Sequence, residues 1–152
     1  MKALLQRVIR SSVSANGEKI GEIKQGLVVF AGVASRDTQK DAQYLAEKIV
    51  GLRIFSDTEG KFNLSVLDIH GEVLIVSQFT LLAETRKGRR PSFTNAATPQ
   101  QAEELIDYLE QLIRNTGLVV QTGRFRAHML VEIQNDGPVT IMLDSHDKFA
   151  SG

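Results

Sequence analysis

Hydrophobic and polar positions change period several times along this chain, and each change marks an element. Residues 2–10 are β-prone, with apolar side chains on both faces, and Ser12–Ala15 and Glu18–Ile23 flank Asn16-Gly17, the strongest short-range signal for a two-residue hairpin. Leu27–Val33 is a continuous apolar run, short enough to be a strand buried on both faces. At Thr38 the period becomes helical. Thr38 with Asp41 makes a capping-box-like start, Ala42, Leu45, Ala46 and Ile49 share a stripe, and Gly51 suits the position just past the last turn, which predicts a helix over 38–50. Leu52–Phe55 reads as a short strand, Ser56–Gly60 as a turn and Asn63–Ile69 as a less regular piece.

Glu72–Leu81 is a second buried-looking strand, ending in the polar side chains of Ser77, Gln78 and Thr80. A second helix is predicted over 98–115: Thr98 caps it, Pro99 takes the first helical position, Ala102, Leu105, Ile106, Leu109, Leu112 and Ile113 form its stripe, and Gly117 stops it. Leu118–Gln121 opens the last group of strands. Phe125, Ala127, Met129, Val131 and Ile133 alternate before the polar stretch Asn135–Thr140, and Val139, Ile141 and Leu143 alternate after it. That pattern predicts two strands with Gly137-Pro138 on a rigid turn at the rim of a sheet. Together the elements predict one α+β domain over 1–145, in which two amphipathic helices pack on a mostly antiparallel, curved or barrel-like sheet, with 146–152 as a loose tail.

Composition narrows the chemistry. The 152 residues are the size of one domain, and 42% of them are hydrophobic, enough for a single core. Lys plus Arg (18) balance Asp plus Glu (18), so an anionic partner has to be met by a local patch, and Arg86, Lys87, Arg89 and Arg90 form the one clear basic cluster. With no cysteine there is no disulfide, thiolate metal site or cysteine nucleophile. The start, Met1–Arg7, meets charge too early for a signal-peptide core, and no apolar run approaches the ~20 residues of a membrane span. The expectation is a soluble cytoplasmic protein without a membrane partner, in which Asn63-Leu64-Ser65 matches a glycosylation acceptor by chance.

The usual catalytic constellations are missing from the pattern. Ser77 lacks a Gly-x-Ser-x-Gly frame, and His70, His128 and His146 lack zinc-ligand spacing and read as solvated. Phosphate-binding and dinucleotide-binding glycine loops are absent as well. No metal or cofactor is expected. An already activated bond needs mainly positioning, a water and donors aimed at the developing oxyanion, which backbone can supply. N–H groups left unpaired where the 72–81 strand ends would serve, with Gln78 and Thr80 on one face and Ser77 and Phe79 on the other; the plainer reading is that these residues solvate a strand end.

Ser77-Gln78-Phe79-Thr80-Leu81 and Asn135-Asp136-Gly137-Pro138-Val139-Thr140 together resemble the two signature motifs of the D-aminoacyl-tRNA deacylases. The resemblance covers nearly the whole chain, including Leu5–Val8, Arg53–Asp57, Gly88 with Arg90–Phe93, and Thr122-Gly123 with Phe125, Ala127 and Met129. It implies an ester hydrolase that removes D-amino acids, or misplaced glycine, from tRNA. It further implies a homodimer with active sites at the subunit interface, where a cis Gly137-Pro138 peptide enters the other subunit's pocket beside Ser77, Gln78, Phe79 and Thr80. Arg7 would help hold that dipeptide, whose carbonyls would accept the substrate's amino group and leave no room for an L side chain; Phe125 and Met129 would contact substrate. The terminal ribose 2′-OH of the tRNA would assist catalysis. Thr80 and Gln78 are expected to position rather than attack, because an unassisted threonine hydroxyl has too high a pKa to be a good nucleophile at neutral pH. Arg86, Lys87, Arg89 and Arg90 would meet the phosphates of the tRNA acceptor end. The alternative is a non-catalytic module that binds the tRNA acceptor end.

Overall fold

The computed structural model describes residues 1–149. Its backbone is organised by β1 (Lys2–Ala15), a strand with three partners. On one edge it pairs antiparallel with β2 (Glu18–Ile23) through residues 11–15 and with β3 (Gly26–Gly32) through residues 2–8. On the other it pairs along nearly its whole length with β8 (Met129–Asp144). The hairpin at Asn16-Gly17 forms as expected: φ is 53° and 77° at these two residues, the left-handed pair that a two-residue turn of this hand requires.

β3, β6 (Glu72–Ser77) and β7 (Val119–Thr122) run parallel, so the antiparallel pattern expected for most of the sheet stops at β3. Parallel neighbours need a crossover, and the two helices provide it: α1 (Gln39–Gly51) lies between β3 and β6, and α2 (Pro99–Arg114) between β6 and β7. The ends of α1 and α2 follow from their caps. The Thr38 and Asp41 capping box is present, and Thr98 Oγ1 accepts from the Gln101 N–H at 3.3 Å with Pro99 at the start of the helix. Gly117, at φ 94°, closes α2 as predicted; Gly51 is still helical, and extended Leu52 ends α1 by donating its N–H to the Lys48 carbonyl.

Two cores result. Ala3, Leu5, Leu27, Val29, Val73 and Ile75 face the helices and pack on Leu45, Ile49, Leu109 and Ile113, all essentially without exposure. Each of these Leu, Ile and Val side chains contributes about 1.5–3 kcal/mol of burial. The alternate residues Val28, Leu74 and Val76 point the other way, into a smaller core of strands alone with Val8, Val13 and Ile23. Strands buried on both faces are what the continuous apolar runs predicted. The Gly21 side of β2 approaches Thr122 of β7, so the sheet is nearly closed and barrel-like.

Three readings of the chain order change. β4 (Phe55–Ser56) and β5 (Phe62–Leu64) pair as a small separate hairpin where irregular chain was expected after residue 60. Residues 125–127 form a turn, so the last strand begins only at Met129. That strand then continues through Gly137-Pro138 instead of stopping there, because both of its halves find the same partner in β1. No helix among the described residues is long and apolar enough to cross a membrane.

The stretch read as a loose tail is in part ordered. Ser145–Phe149 makes a 3₁₀ turn against α1, and His146, expected to be solvated, is half-buried with Nε2 at 2.8 Å from Asp37 Oδ1. The Met1 amine lies 2.6 Å from Asp37 Oδ2 and donates to Ser145 Oγ at 2.7 Å, while that hydroxyl donates to Asp41 Oδ1 at 2.7 Å. Burial raises the Asp41 pKa, but the hydrogen bonds from Ser145 and Thr38 and the nearby positive charges outweigh it and hold the carboxyl below its ordinary value. Residues 150–152 of the expected tail lie outside the described residues.

Candidate active site

β6 ends at Ser77 because the chain there folds over Gly32. The Gln78 N–H donates to the Ala31 carbonyl at 2.8 Å, and a Cβ on Gly32 would meet the Gln78 carbonyl at 2.8 Å and Leu82 at 2.6 Å. Phe79–Leu82 continue as a 3₁₀ turn, not as the strand expected through Leu81. Phe79 and Thr80 open that turn, so their N–H groups have no acceptor within it. The turn still brings Gln78 and Thr80 together: Gln78 Nε2 donates to Thr80 Oγ1, and both side chains reach solvent. Among the described residues Thr80 Oγ1 has no neighbouring histidine or carboxylate bonded to it.

Ser77, Gln78 and Phe79 form one wall of a cavity of about 630 Å³. Phe125 and Met129, both expected near substrate, line it as well, together with Phe93, whose ring meets that of Phe79 edge-on with centroids 5.0 Å apart. The floor is apolar, made by Val76, Ala97, Ala102 and Ile106. Such a cavity suits an aromatic base or other flat apolar body, with the polar backbone at its edge fixing orientation. Arg126 and His128 also line it; His128 was read as solvated and is exposed, and Arg126 was not singled out in the sequence; their positions alternate with those of Phe125, Ala127 and Met129, a period that gives them one face of the rim.

Arg7, Gly137 and Pro138 are not among the residues lining this cavity in their own chain. They belong to a bulge between β1 and β8. Gln6 pairs with Thr140 and Val8 with Asn135, so Arg7 alone stands opposite Asp136–Val139. Two side chains hold the bulge. Asn135 Nδ2 donates to the carbonyls of Arg7 (2.9 Å) and Val139 (3.2 Å), one on each flank, a role that sequence reasoning did not assign. Arg7 Nε donates to the Asp136 carbonyl at 3.1 Å and lies 3.2 Å from its carboxylate. The same guanidinium donates through Nη1 to the Ile54 carbonyl at 2.8 Å and sits 5.3 Å from the centre of the Phe62 ring. Gly137 and Pro138, joined by a cis peptide, are exposed at the tip.

The basic cluster is less uniform than its sequence. Glu84 and Ser92 pair through their backbones at 2.8 and 3.0 Å, which makes the intervening chain a loop with Gly88 at φ 72°. Arg86 folds back on Glu84, donating through Nε at 2.9 Å and Nη2 at 2.8 Å. Those hydrogen bonds lower the Glu84 pKa to about 2, and Arg86 is neutralised in place. Lys87, Arg89 and Arg90 remain exposed and outward.

Comparison with known proteins bears on what this cavity is for. The family described as D-Tyr-tRNA(Tyr) deacylase matches residues 4–144. The chain is 60% identical over 148 residues to a D-aminoacyl-tRNA deacylase of Dehalococcoides mccartyi, covering 97% of each, and 56% identical over 150 residues to one of Natranaerobius thermophilus, covering 98% of this chain and all of that one. A solved structure described as c-Myc DNA Unwinding Element Binding Protein superposes with a TM-score of 0.89 at 44% identity, covering 95% of this chain and 98% of that one. One described as a probable eukaryotic D-amino acid tRNA deacylase superposes at 0.80 but is 19% identical, a likeness of fold alone. Identity of this degree over nearly the full length leaves no part of the domain unaccounted for: the chain belongs to the D-aminoacyl-tRNA deacylase family and is a hydrolase.

Proposed function

We propose that this hydrolase acts at the 3′ end of tRNA as a homodimer, cleaving the ester of a D-amino acid or of misplaced glycine in the cavity beside Ser77–Thr80. The observation that carries the reading is that the 3₁₀ turn at the end of β6 opens, beside an apolar cavity, with two N–H groups free to bind an oxyanion. Water activated by the neighbouring ribose 2′-OH adds to the ester carbonyl, the N–H groups of Phe79 and Thr80 hold the resulting oxyanion, and the bond to the ribose oxygen breaks as that oxygen takes a proton. Gln78 and Thr80, locked together, orient the substrate.

The exposed dipeptide is the chiral filter. Gly137-Pro138 projects from a bulge braced by Arg7 and Asn135 and stands outside its own cavity, so a second copy related by a twofold axis would exchange dipeptides reciprocally. There its carbonyls accept the substrate's α-amino group, and an L side chain collides with the turn. A Cβ at Gly137 would sit 3.0 Å from Asn135 Oδ1, which ties the filter's shape to that amide. Lys87, Arg89 and Arg90 meet the phosphates of the acceptor end in the cytoplasm, where charged tRNA is found.

One experiment tests this: hydrolysis of a D-aminoacyl-tRNA, its L counterpart and a glycyl-tRNA by wild type and Gly137→Ala, with sedimentation of both proteins. Fast release from the D form and from glycine but not the L form, with loss of D activity in a dimeric variant, is expected. A monomeric wild type, or equal rates on D and L forms, would sink the filter; binding without release on any of them would favour a tRNA-end binding module.

A further inference from the structure

The turn after β7 holds a conformational cost that shaping the cavity does not explain. Arg126 has φ 65°, in the left-handed region where every residue but glycine is penalised. The Ala127 N–H donates to the Arg124 carbonyl at 3.2 Å, closing the turn around Phe125 and Arg126. Phe125 packs on the larger core and Met129 on the smaller, so the apolar half of the segment is anchored. Its other half, Arg124, Arg126 and His128, is exposed. Arg7, Arg10, Arg86 and Arg114 are each engaged by a carboxylate, whereas Arg124 and Arg126 have no such partner among the described residues.

In a chain with no net charge, two unpaired guanidinium groups beside an apolar, aromatic cavity place positive potential at its mouth. A nucleotide entering there buries its base and leaves its phosphate in water at the rim. We propose that Arg126, with Arg124 beside it, binds the phosphates of the last nucleotides of the RNA. This is a second cationic arm, separate from Lys87, Arg89 and Arg90, and it rests on the reading that the 3′ end of tRNA is the ligand. A backbone held against its preference keeps the guanidinium at that mouth.

The test separates fold from binding. Arg126→Gly removes the charge and relieves the backbone, so Tm should not fall, while affinity for a short single-stranded RNA with the tRNA 3′-end sequence should weaken about fivefold, roughly the worth of one charged contact. Over a salt series, the slope of log affinity against log salt should shrink by about 0.7 for this variant and about 1.4 for Arg124→Ala/Arg126→Gly. Arg114→Ala, which removes an equal charge from the end of α2, should leave the slope alone. Unchanged affinity and slope in the double variant, or a fall in Tm with no change in slope, would overturn the proposal. Failure of wild type to hydrolyse D-aminoacyl-tRNA would overturn the catalytic reading instead, since the RNA titration reports on the arginines without any turnover.

Discussion

Two polar sites in this molecule invite opposite readings. The cluster of Asp37, Asp41, Ser145, His146 and the Met1 amine holds the residue types of a hydrolase: a serine, a histidine and two carboxylates, with ligand atoms of Asp37, Asp41 and His146 within 4.8 Å of one another. Ser77–Thr80 holds no histidine and no acid. Yet in the cluster Ser145 is fully buried, its Oγ both accepts from the amine and donates to Asp41, and Asp37 accepts from the Ala34 N–H as well. Its hydrogen-bonding capacity is used up in joining the two ends of the chain to α1. At the end of β6 the donors are backbone, open to solvent and beside a cavity. Saturation, more than residue type, separates a polar group that holds a fold together from one that can act on a substrate.

Removing Asp37 should give the largest effect on stability and the least on chemistry. Asp37→Ala strands a buried ammonium, and breaking a buried pair in this way costs about 3–5 kcal/mol, so urea unfolding should show that loss while the folded fraction keeps its turnover. Equal stability would mean that the cluster is idle. Gly32→Ala should act on chemistry above all: its Cβ would push on the Gln78 carbonyl and on Leu82, at about 1–3 kcal/mol of stability, and misplacing the proposed oxyanion donors by about an ångström should lower kcat by about 100-fold. A variant of normal rate would show that the 3₁₀ turn does not position the reaction.

Thr80→Ala should keep hydrolysis within about tenfold of wild type, since among the described residues its hydroxyl accepts from Gln78 and has no base bonded to it. A dead variant of normal fold would restore a threonine nucleophile. The smallest effect concerns pH. Asp41 has its folded pKa below the ordinary value, so it contributes stability that is fully present above the unfolded value near pH 4 and is lost as pH falls through the lower folded one. Ser145→Ala should flatten that acid limb of stability without altering the pH dependence of turnover; a matching change in both would join the two sites.

Much of the architecture could be read from local signals. Asn16-Gly17, Thr38 with Asp41, and Thr98-Pro99 each act within a few residues, and each does in the structure what its chemistry predicts. What could not be read depends on partners far away in sequence. Gly137-Pro138 resembles a turn until β1 is seen to pair with both flanks; Ser77–Leu81 resembles a strand until Gly32 lets the chain fold over it; His146 resembles a tail residue until Asp37 is placed beside it. The cavity had the same limit. Phe125 and Met129 were expected beside substrate from the family resemblance and they line the cavity, while Phe93, Arg126 and His128, to which no such role was given, line it too through tertiary packing. Arg86 counted as free charge in the sequence, and two residues away Glu84 cancels it.

The pairing of β1 with β8 has a consequence for the life of the chain on the ribosome. Lys2 is matched to Asp144 and Val8 to Asn135, so the first strand to emerge waits for the last before it gains that partner. Contacts this distant in sequence are slow to form and come late. A nascent chain stalled before residue 129 lacks the strand that pairs with the second edge of β1, and nothing raises the bulge that Arg7 and Asn135 brace. The substrate selection proposed for Gly137-Pro138 therefore has to wait until translation is nearly finished.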